Sequence, residues 1–306
     1  MDAKAVLEQA DACHDEDPAR AAALLRQVDA AALDPDQRPR LAFLLNHVLG
    51  ERLDDWAGAH ARMQALMQGL PADSMLLCRH AAVAARGAGD AAAAQRHTEA
   101  LAALAGAPGV QAVELVALAS AALGLARLPA AAAGQRAAAA LAALAAPHWQ
   151  QPGPLDAAAA AQCNNIGSAL VDRPVADLAE PALREAMQRA AQAARQLWRR
   201  AGTWVNAERA EYLLALVTSA LGDPAQALAH ARAGLALLDT HDAAGDERVD
   251  RAFLALEAAF ALERLGDAGA AQAARRQADA LAAAFGDAGL ERWYAERVAR
   301  NATLGG

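Results

Sequence analysis

The chain has 306 residues and a formal net charge of −8, and 56% of its residues are hydrophobic while only 4% are aromatic. This length is sufficient to bury a sizeable core, and the hydrophobic content excludes intrinsic disorder. The shortage of Val, Ile, Thr and aromatic residues argues against a sheet. The abundant Ala, Leu, Arg, Gln and Glu are strong helix formers, so we expect an all-α protein. The acidic balance gives no basic field for nucleic acid or an anionic membrane.

The N-terminal segment, residues 1–17, lacks the basic-then-apolar order of a secretory signal. Charged residues interrupt the Ala-rich stretch 110–146, so we expect no membrane span there. The three cysteines, Cys13, Cys78 and Cys163, are odd in number, match no metal-ligand spacing and fit a reducing compartment. We therefore expect a cytoplasmic protein, and the Ala- and Arg-rich composition suggests a GC-rich bacterial genome.

The first cluster of chemically capable side chains is His14-Asp15-Glu16-Asp17. It could hold a hard cation, but acidic residues at such a turn also cap the following helix, and we interpret it as a cap. The eight histidines form no pair at metal-binding helical spacing, and the sequence shows no Gly-rich phosphate loop and no Gly-x-Ser-x-Gly elbow. We therefore predict no metal site, no cofactor and no enzymatic activity.

Turn signals recur along the chain at intervals of about 35 to 50 residues. Pro fits the first turn of a helix, Asp before it caps free N–H groups, and Gly lets the preceding helix end in a left-handed residue. The pattern predicts a series of about seven helix hairpins. The turns are Asp17-Pro18, Asp55-Trp56, Gly89-Asp90, Leu128-Pro129, Arg173-Pro174, Asp223-Pro224 and Asp267-Ala268.

The segment 147–155 contains three prolines and interrupts any helix. We interpret it as a long loop within one domain spanning residues 1–306. The alternative is a boundary between N-terminal hairpins in 1–146 and C-terminal hairpins in 156–306, since each half would still hold enough hairpins to stack.

The C-terminal residues close the array. Leu290, Trp293, Tyr294 and Val298 form an apolar stripe on a predicted helix. The charged residues face elsewhere, namely Glu291, Arg292, Glu296, Arg297 and Arg300. One apolar face and one charged face are typical of a terminal capping helix.

Small residues at fixed distances from the Gly-Asp turns give the strongest resemblance to a known family. Around Gly222-Asp223 they are Ala215, Ala227 and Gly234, and around Gly266-Asp267 they are Ala259, Ala271 and Ala278. The stretch Asn164-Asn165-Ile166-Gly167 is similar to an Asn-Leu-Gly stretch in many tetratricopeptide repeats. The chain thus resembles the tetratricopeptide repeat family, which implies a right-handed α-solenoid with a concave groove lined by the first helix of each hairpin.

The resemblance places eight residues on this concave face: Asn164, Asn165, Ser168, Arg209, Tyr212, Arg79, Phe253 and Phe260. Asn is unfavourable inside a helix, so Asn164 and Asn165 need partners, either a peptide backbone or a neighbouring loop. Arg209 and Tyr212 belong to a polar, aromatic stretch that suits a binding hot spot or a solvated face. Phe253 and Phe260 have helical spacing that also fits a core.

These observations predict a non-catalytic adaptor or scaffold that binds an unidentified protein or peptide. One alternative is a sensor of a peptide or small ligand that acts through a second protein. A less favoured alternative is an enzyme built on a helical array. Self-association is also open, because the run Ala21–Leu25 in the first hairpin lacks an obvious polar cap.

Overall fold

The computed structural model describes residues 2–68 and 74–305, and within these ranges the chain is helical and contains no strand. The predicted all-α class is confirmed. Within each unit, most helices pack against the helix that follows them along the chain. The described residues group into two compact units.

Unit 1 comprises Met1–Gly124 and Pro147–Leu155. Its helices are α1 Ala3–Cys13, α2 Pro18–Leu25, α3 Arg38–Leu44, α4 Trp56–Met67, α5 Met75–Gly87, α6 Ala91–Ala105 and α7 Gly109–Ala122. Helix α3 continues without a break into a π-helical segment, Leu45–Arg52. A short 3₁₀ turn, Ala30–Ala32, precedes α3.

Unit 2 comprises Leu125–Ala146 and Asp156–Gly306. Its helices are α8 Ala130–Ala142, α9 Asp156–Val171, α10 Pro181–Ala201, α11 Trp204–Ala220, α12 Pro224–His241, α13 Arg248–Arg264, α14 Ala268–Ala282 and α15 Ala288–Gly305. The division into one or two domains expected near 147–155 stays a prediction.

The turn chemistry read from the sequence is present at most of the predicted turns. The side chain of each of five aspartates accepts a backbone N–H three residues later: Asp17, Asp55, Asp90, Asp223 and Asp267. Gly222 ends α11 with a φ of 88°, which is the left-handed conformation that favours glycine. The turn at Pro174 differs, because it opens a 3₁₀ segment, Val175–Ala179, before α10 begins.

In unit 1 the core is aliphatic. At its edge, the Trp56 ring at the start of α4 packs closely against two glycines, Gly50 and Gly87. A Cβ at Gly50 would lie 2.5 Å from the Trp56 ring, and one at Gly87 would lie 2.4 Å from it. The indole therefore requires both glycines. Within the run Ala21–Leu25, Ala21 and Leu25 are completely buried in this core, whereas Ala23 is exposed. Self-association through this end of the chain stays a prediction.

The Pro-rich segment 147–155 is anchored to α7 within unit 1. The Trp149 side chain is buried, and its indole N–H donates to Glu114 Oε2 at 2.6 Å. His148 Nε2 lies 2.7 Å from the same carboxylate oxygen, and Gln111 Nε2 donates to the His148 carbonyl at 2.5 Å. The segment is thus a fixed loop, held by the half-buried Glu114 carboxylate and by the Gln111 amide.

In unit 2 the helices pair as α9 with α10, α11 with α12 and α13 with α14. Helix α11 also contacts both α9 and α13, so these three helices form one layer. Gly234 lets α12 approach α13 closely, since a Cβ there would lie 2.8 Å from Leu254. This layer carries seven of the eight predicted binding residues.

Candidate functional site

The C-terminal helix covers part of the predicted inner face of unit 2. The Phe253 ring of α13 lies 4.3 Å from the Trp293 ring and 5.6 Å from the Tyr294 ring of α15, measured between centroids. Further along α15, Arg300 donates to the Val171 carbonyl at the end of α9. Helix α15 therefore crosses from α13 towards α9 over the layer that was expected to be an open groove.

A buried polar contact joins α15 to α13. Arg297 Nε donates to Glu257 Oε1 at 2.8 Å, and Asn301 Nδ2 donates to the same oxygen at 2.9 Å. Only 4% of Arg297 is exposed, so the expectation that it faces away from the packed side of the capping helix is wrong. The reason is that Glu257, buried in α13, needs a cationic partner, and α15 supplies it.

Two predicted groove residues belong to the core beneath α15. Phe253 is 1% exposed, and Tyr212 lies edge-to-face against it at 6.1 Å between centroids. The Tyr212 hydroxyl is buried without a hydrogen-bond partner among the described residues, and burial raises its pKa. The placement of these two rings on an open groove is therefore corrected. Phe260 is half-buried and borders a shallow concavity between α13 and α14.

The predicted anchor Arg209 is already paired within unit 2. Its Nε donates to Asp250 at 2.9 Å and its Nη2 to Glu247 at 3.2 Å, both at the start of α13. Beside it, burial and the neighbouring Asp250 raise the pKa of the Glu208 carboxyl to about 9. An acidic ligand would have to compete with two carboxylates for Arg209.

The remaining predicted binding residues make no side-chain hydrogen bond or ion pair with another described residue. Asn164 and Ser168 are half-buried and Asn165 is exposed, and none has a side-chain hydrogen bond to another described residue. Arg79 lies in unit 1, where burial lowers the pKa of its guanidinium to about 10. Burial and the Arg79 charge together lower the pKa of the adjacent His80 to about 3.

A large open groove lies elsewhere in unit 2, between α10 and the pair α11 and α12. Its volume is about 1080 Å³, and its floor is formed by apolar residues of α11. Gln188, Gln192 and Gln196 project along one wall at intervals of four residues. All three are exposed, and their side-chain amides have no hydrogen-bond partner within the part of the chain that the structure describes. The groove therefore presents a row of unused donors and acceptors.

Charged side chains at this groove are held in place by the protein. Arg195 Nε donates to Glu211 Oε1 at 2.6 Å, and His230 Nδ1 lies 2.7 Å from Glu211 Oε2. Burial favours a higher pKa for Glu211, but the contacts with His230 and Arg195 outweigh it and leave the pKa lowered. The carboxylate thus stays ionised and holds Arg195 on one wall and His230 on the other. Arg199, one turn beyond Arg195, is exposed and has no ion pair within the described residues.

Sequence reasoning missed this groove because it assigned binding to the first helix of each hairpin, whereas α10 is a second helix. The available signal was the spacing of Gln188, Gln192 and Gln196, which places three amides on one helical face. Gln is also a good helix former, so its presence on a helix does not by itself indicate a binding site.

Comparisons with known proteins add no identification. No protein-family model matches the chain, and no curated protein matches it. The tetratricopeptide resemblance therefore stays a prediction. Among the described residues, no single helix is long and apolar enough to cross a membrane; α6 and α7 reach that apolarity only as a pair, and they are bent by 118°.

Proposed function

We propose that the protein is a non-catalytic recognition module that binds an extended peptide segment of another protein in the groove between α10, α11 and α12. The observation that carries this proposal is the row of Gln188, Gln192 and Gln196 beside an apolar floor. The proposal includes the finer fold, a tetratricopeptide-like right-handed solenoid, since consecutive helices in each unit pack as hairpins.

The spacing of the glutamines suits a peptide backbone. Residues four apart on an α-helix are separated by about 6 Å along its axis, and an extended chain repeats its backbone groups about every 6.7 Å. Over two steps the mismatch is only about 1.4 Å, which flexible Gln side chains can accommodate. Each amide can both donate to and accept from a peptide group. We therefore propose that the three glutamines form hydrogen bonds with the backbone of the bound peptide rather than with its side chains.

The cationic side chains at one end of the row add a preference for a negative group. Arg195 is oriented by Glu211, and the exposed Arg199 follows it along α10. A guanidinium held in a fixed orientation binds a carboxylate without losing much further freedom. We propose that the bound segment carries an acidic side chain or a terminal carboxylate at this end.

The test is a selection from a random peptide library followed by direct titration of the enriched peptides. A Gln188→Ala, Gln192→Ala, Gln196→Ala variant should weaken binding about tenfold to about a thousandfold, because each lost hydrogen bond is worth about 0.5–1.5 kcal/mol. Gln277→Ala is the matched control, since Gln277 is exposed on α14 outside the groove. Failure to enrich any peptide, or equal binding by the triple variant, would contradict the proposal.

A second candidate, a sensor that acts by releasing α15, is favoured by the way α15 is held. Arg297 Nη1 and Nη2 and Asn301 Oδ1 are buried without hydrogen-bond partners among the described residues. Unsatisfied buried groups each cost about 1–3 kcal/mol, so they weaken docking. A ligand that competes for this surface would release α15 and open the face that carries Tyr212 and Phe253. Faster hydrogen exchange of α15 on adding a ligand would identify this mode.

A further inference from the structure

In unit 1, the turn between α1 and α2 meets the π-helical segment at a cluster of three side chains. His14 Nε2 lies 3.4 Å from Asp15 Oδ2, and His47 Nε2 lies 3.6 Å from Asp15 Oδ1. One ligand atom from each of the three residues lies within 4.8 Å of the other two. Two imidazoles and a carboxylate therefore converge, although 33 positions separate His14 from His47 in the chain.

Both imidazole rings are held through their other nitrogen. His14 Nδ1 lies 2.5 Å from the Asp11 carbonyl oxygen, and His47 Nδ1 lies 2.7 Å from Glu51 Oε2. Because each of these partners is an acceptor, each Nδ1 carries the proton and donates it. In the neutral rings, each Nε2 then presents a lone pair towards Asp15. Histidines that ligate metals are usually oriented in this way, by a carbonyl or a carboxylate.

The separations fit ligands around a metal ion better than they fit hydrogen bonds. An N–H···O bond normally spans about 2.7–3.2 Å, which is shorter than both distances to Asp15. Nitrogen and oxygen ligands lie about 2.05 Å from Zn²⁺, so two of them in a tetrahedral shell are about 3.3 Å apart.

The local backbone and packing hold the cluster in place. His47 and Glu51 both lie in the π-helical segment, and π-helical turns occur frequently at functional sites. The Phe43 ring stacks on His47 at 5.5 Å between centroids, with an interplanar angle of 9°. His14 meets the His47 ring edge-on at 5.3 Å. The imidazoles are therefore ordered before any ion binds.

The surrounding charge does not oppose a dication. Three carboxylates, of Asp11, Asp15 and Glu51, face two guanidiniums, so the cluster carries one net negative charge when the imidazoles are neutral. Arg40 pairs with Asp11, while Arg52 Nη2 donates to the Asp15 carbonyl at 3.1 Å and its Nη1 lies 3.9 Å from Asp15 Oδ1. Asp15 is 71% exposed, which leaves an entry path from solvent.

We propose that His14, Asp15 and His47 bind a divalent transition-metal ion of the Zn²⁺ class, with the fourth position taken by water. Two imidazoles select such ions over Mg²⁺ and Ca²⁺, which take oxygen ligands. The ion joins the α1–α2 turn to the next hairpin. The site belongs to unit 1 and is independent of the peptide groove in unit 2.

The test uses the untagged full chain, stripped with chelator and titrated calorimetrically with Zn²⁺, and with Mg²⁺ as a comparison. Wild type should bind one Zn²⁺ per chain and no Mg²⁺. His14→Ala, His47→Ala and Asp15→Asn should each remove this binding or weaken it at least about a hundredfold. His97→Gln is the matched control, a histidine of α6 in the same unit and outside the cluster.

Two further variants separate a ligand role from a structural one. Glu51→Gln should weaken Zn²⁺ binding about tenfold to a hundredfold through the orientation of His47. Arg52→Gln should tighten it, because a cation beside Asp15 is removed. Absence of saturable Zn²⁺ binding by wild type would overturn the proposal, as would unchanged binding in the ligand variants or an equal loss in His97→Gln. If a histidine variant fails to fold, Zn²⁺ binding by Asp15→Asn is the deciding measurement, because Asp15 is exposed and its replacement should not disturb folding.

Discussion

Replacing Arg297 with Ala tests how α15 is held against unit 2. Arg297 is 4% exposed and Glu257 is 1% exposed, and their side chains meet at 2.8 Å. Removal of the guanidinium leaves a buried carboxylate whose one remaining hydrogen-bond donor among the described residues is Asn301. Breaking one side of a buried ion pair costs about 3–5 kcal/mol. We expect this cost to appear first as undocking of α15.

The size of the observed effect depends on which part of unit 2 opens. Helix α15 leaves Trp293 46% exposed and buries few apolar side chains, of which Tyr294 is the main one. A helix held so lightly opens by itself before the remaining helices unfold. The free energy of global unfolding should therefore fall by less than the full cost, whereas hydrogen exchange of the α15 amides should become at least about a hundredfold faster, corresponding to about 3 kcal/mol.

The matched control removes both charges together, as Arg297→Met with Glu257→Leu. Apolar replacement of a buried ion pair is often neutral or stabilising, so this double variant should keep α15 docked and its amides protected. Hydrogen exchange read by mass spectrometry and urea unfolding of each variant give the two quantities. Slow exchange of α15 in Arg297→Ala, with a loss of global stability below about 1 kcal/mol, would refute the assignment of the docking energy to this pair.

Three further predictions follow from single side chains. Burial is the largest of the effects that raise the pKa of Glu208 to about 9. The folded protein therefore keeps a proton on Glu208 that the unfolded chain releases above about pH 4.3. As a result, the free energy of unfolding falls as the pH rises from about 4.3 to about 9. Glu208→Gln should flatten this decline in urea titrations between about pH 5.5 and pH 8.5, and an unchanged slope would count against it. Gly87→Ala places a methyl group 2.4 Å from the Trp56 ring and should lower the free energy of unfolding by about 1–3 kcal/mol. Gly109→Ala is the control: a methyl group there meets open space and should change the free energy of unfolding by less than about 0.5 kcal/mol. Equal effects of the two variants would disprove the clash with Trp56. Burial raises the pKa of Cys163 to about 12, so a thiol reagent at about pH 8 should label it only after unfolding, and rapid labelling of the native protein would show that it is accessible.

Features set within a few residues were predictable from the sequence. The Asp223 cap, the left-handed Gly222 before it and the helices on either side depend on hydrogen bonds between near neighbours, and each was predicted correctly. The all-α class followed in the same way from residue propensities. The predicted inner face was less accurate. Seven of its eight residues do lie on three adjacent helices, whereas Arg79 lies in unit 1, and the sequence could not show that α15 folds back over Tyr212 and Phe253.

The sequence by itself determined the helices, their caps and the turns between them, because these depend on interactions over three or four residues. Only the tertiary structure decided which side chains meet across long separations. It places His47 beside His14 and Asp15, makes Arg297 a buried partner of Glu257, and leaves the glutamines of α10 beside an open groove. These contacts depend on how helices pack, and an Ala-rich chain offers few large side chains whose pattern would indicate that packing in advance.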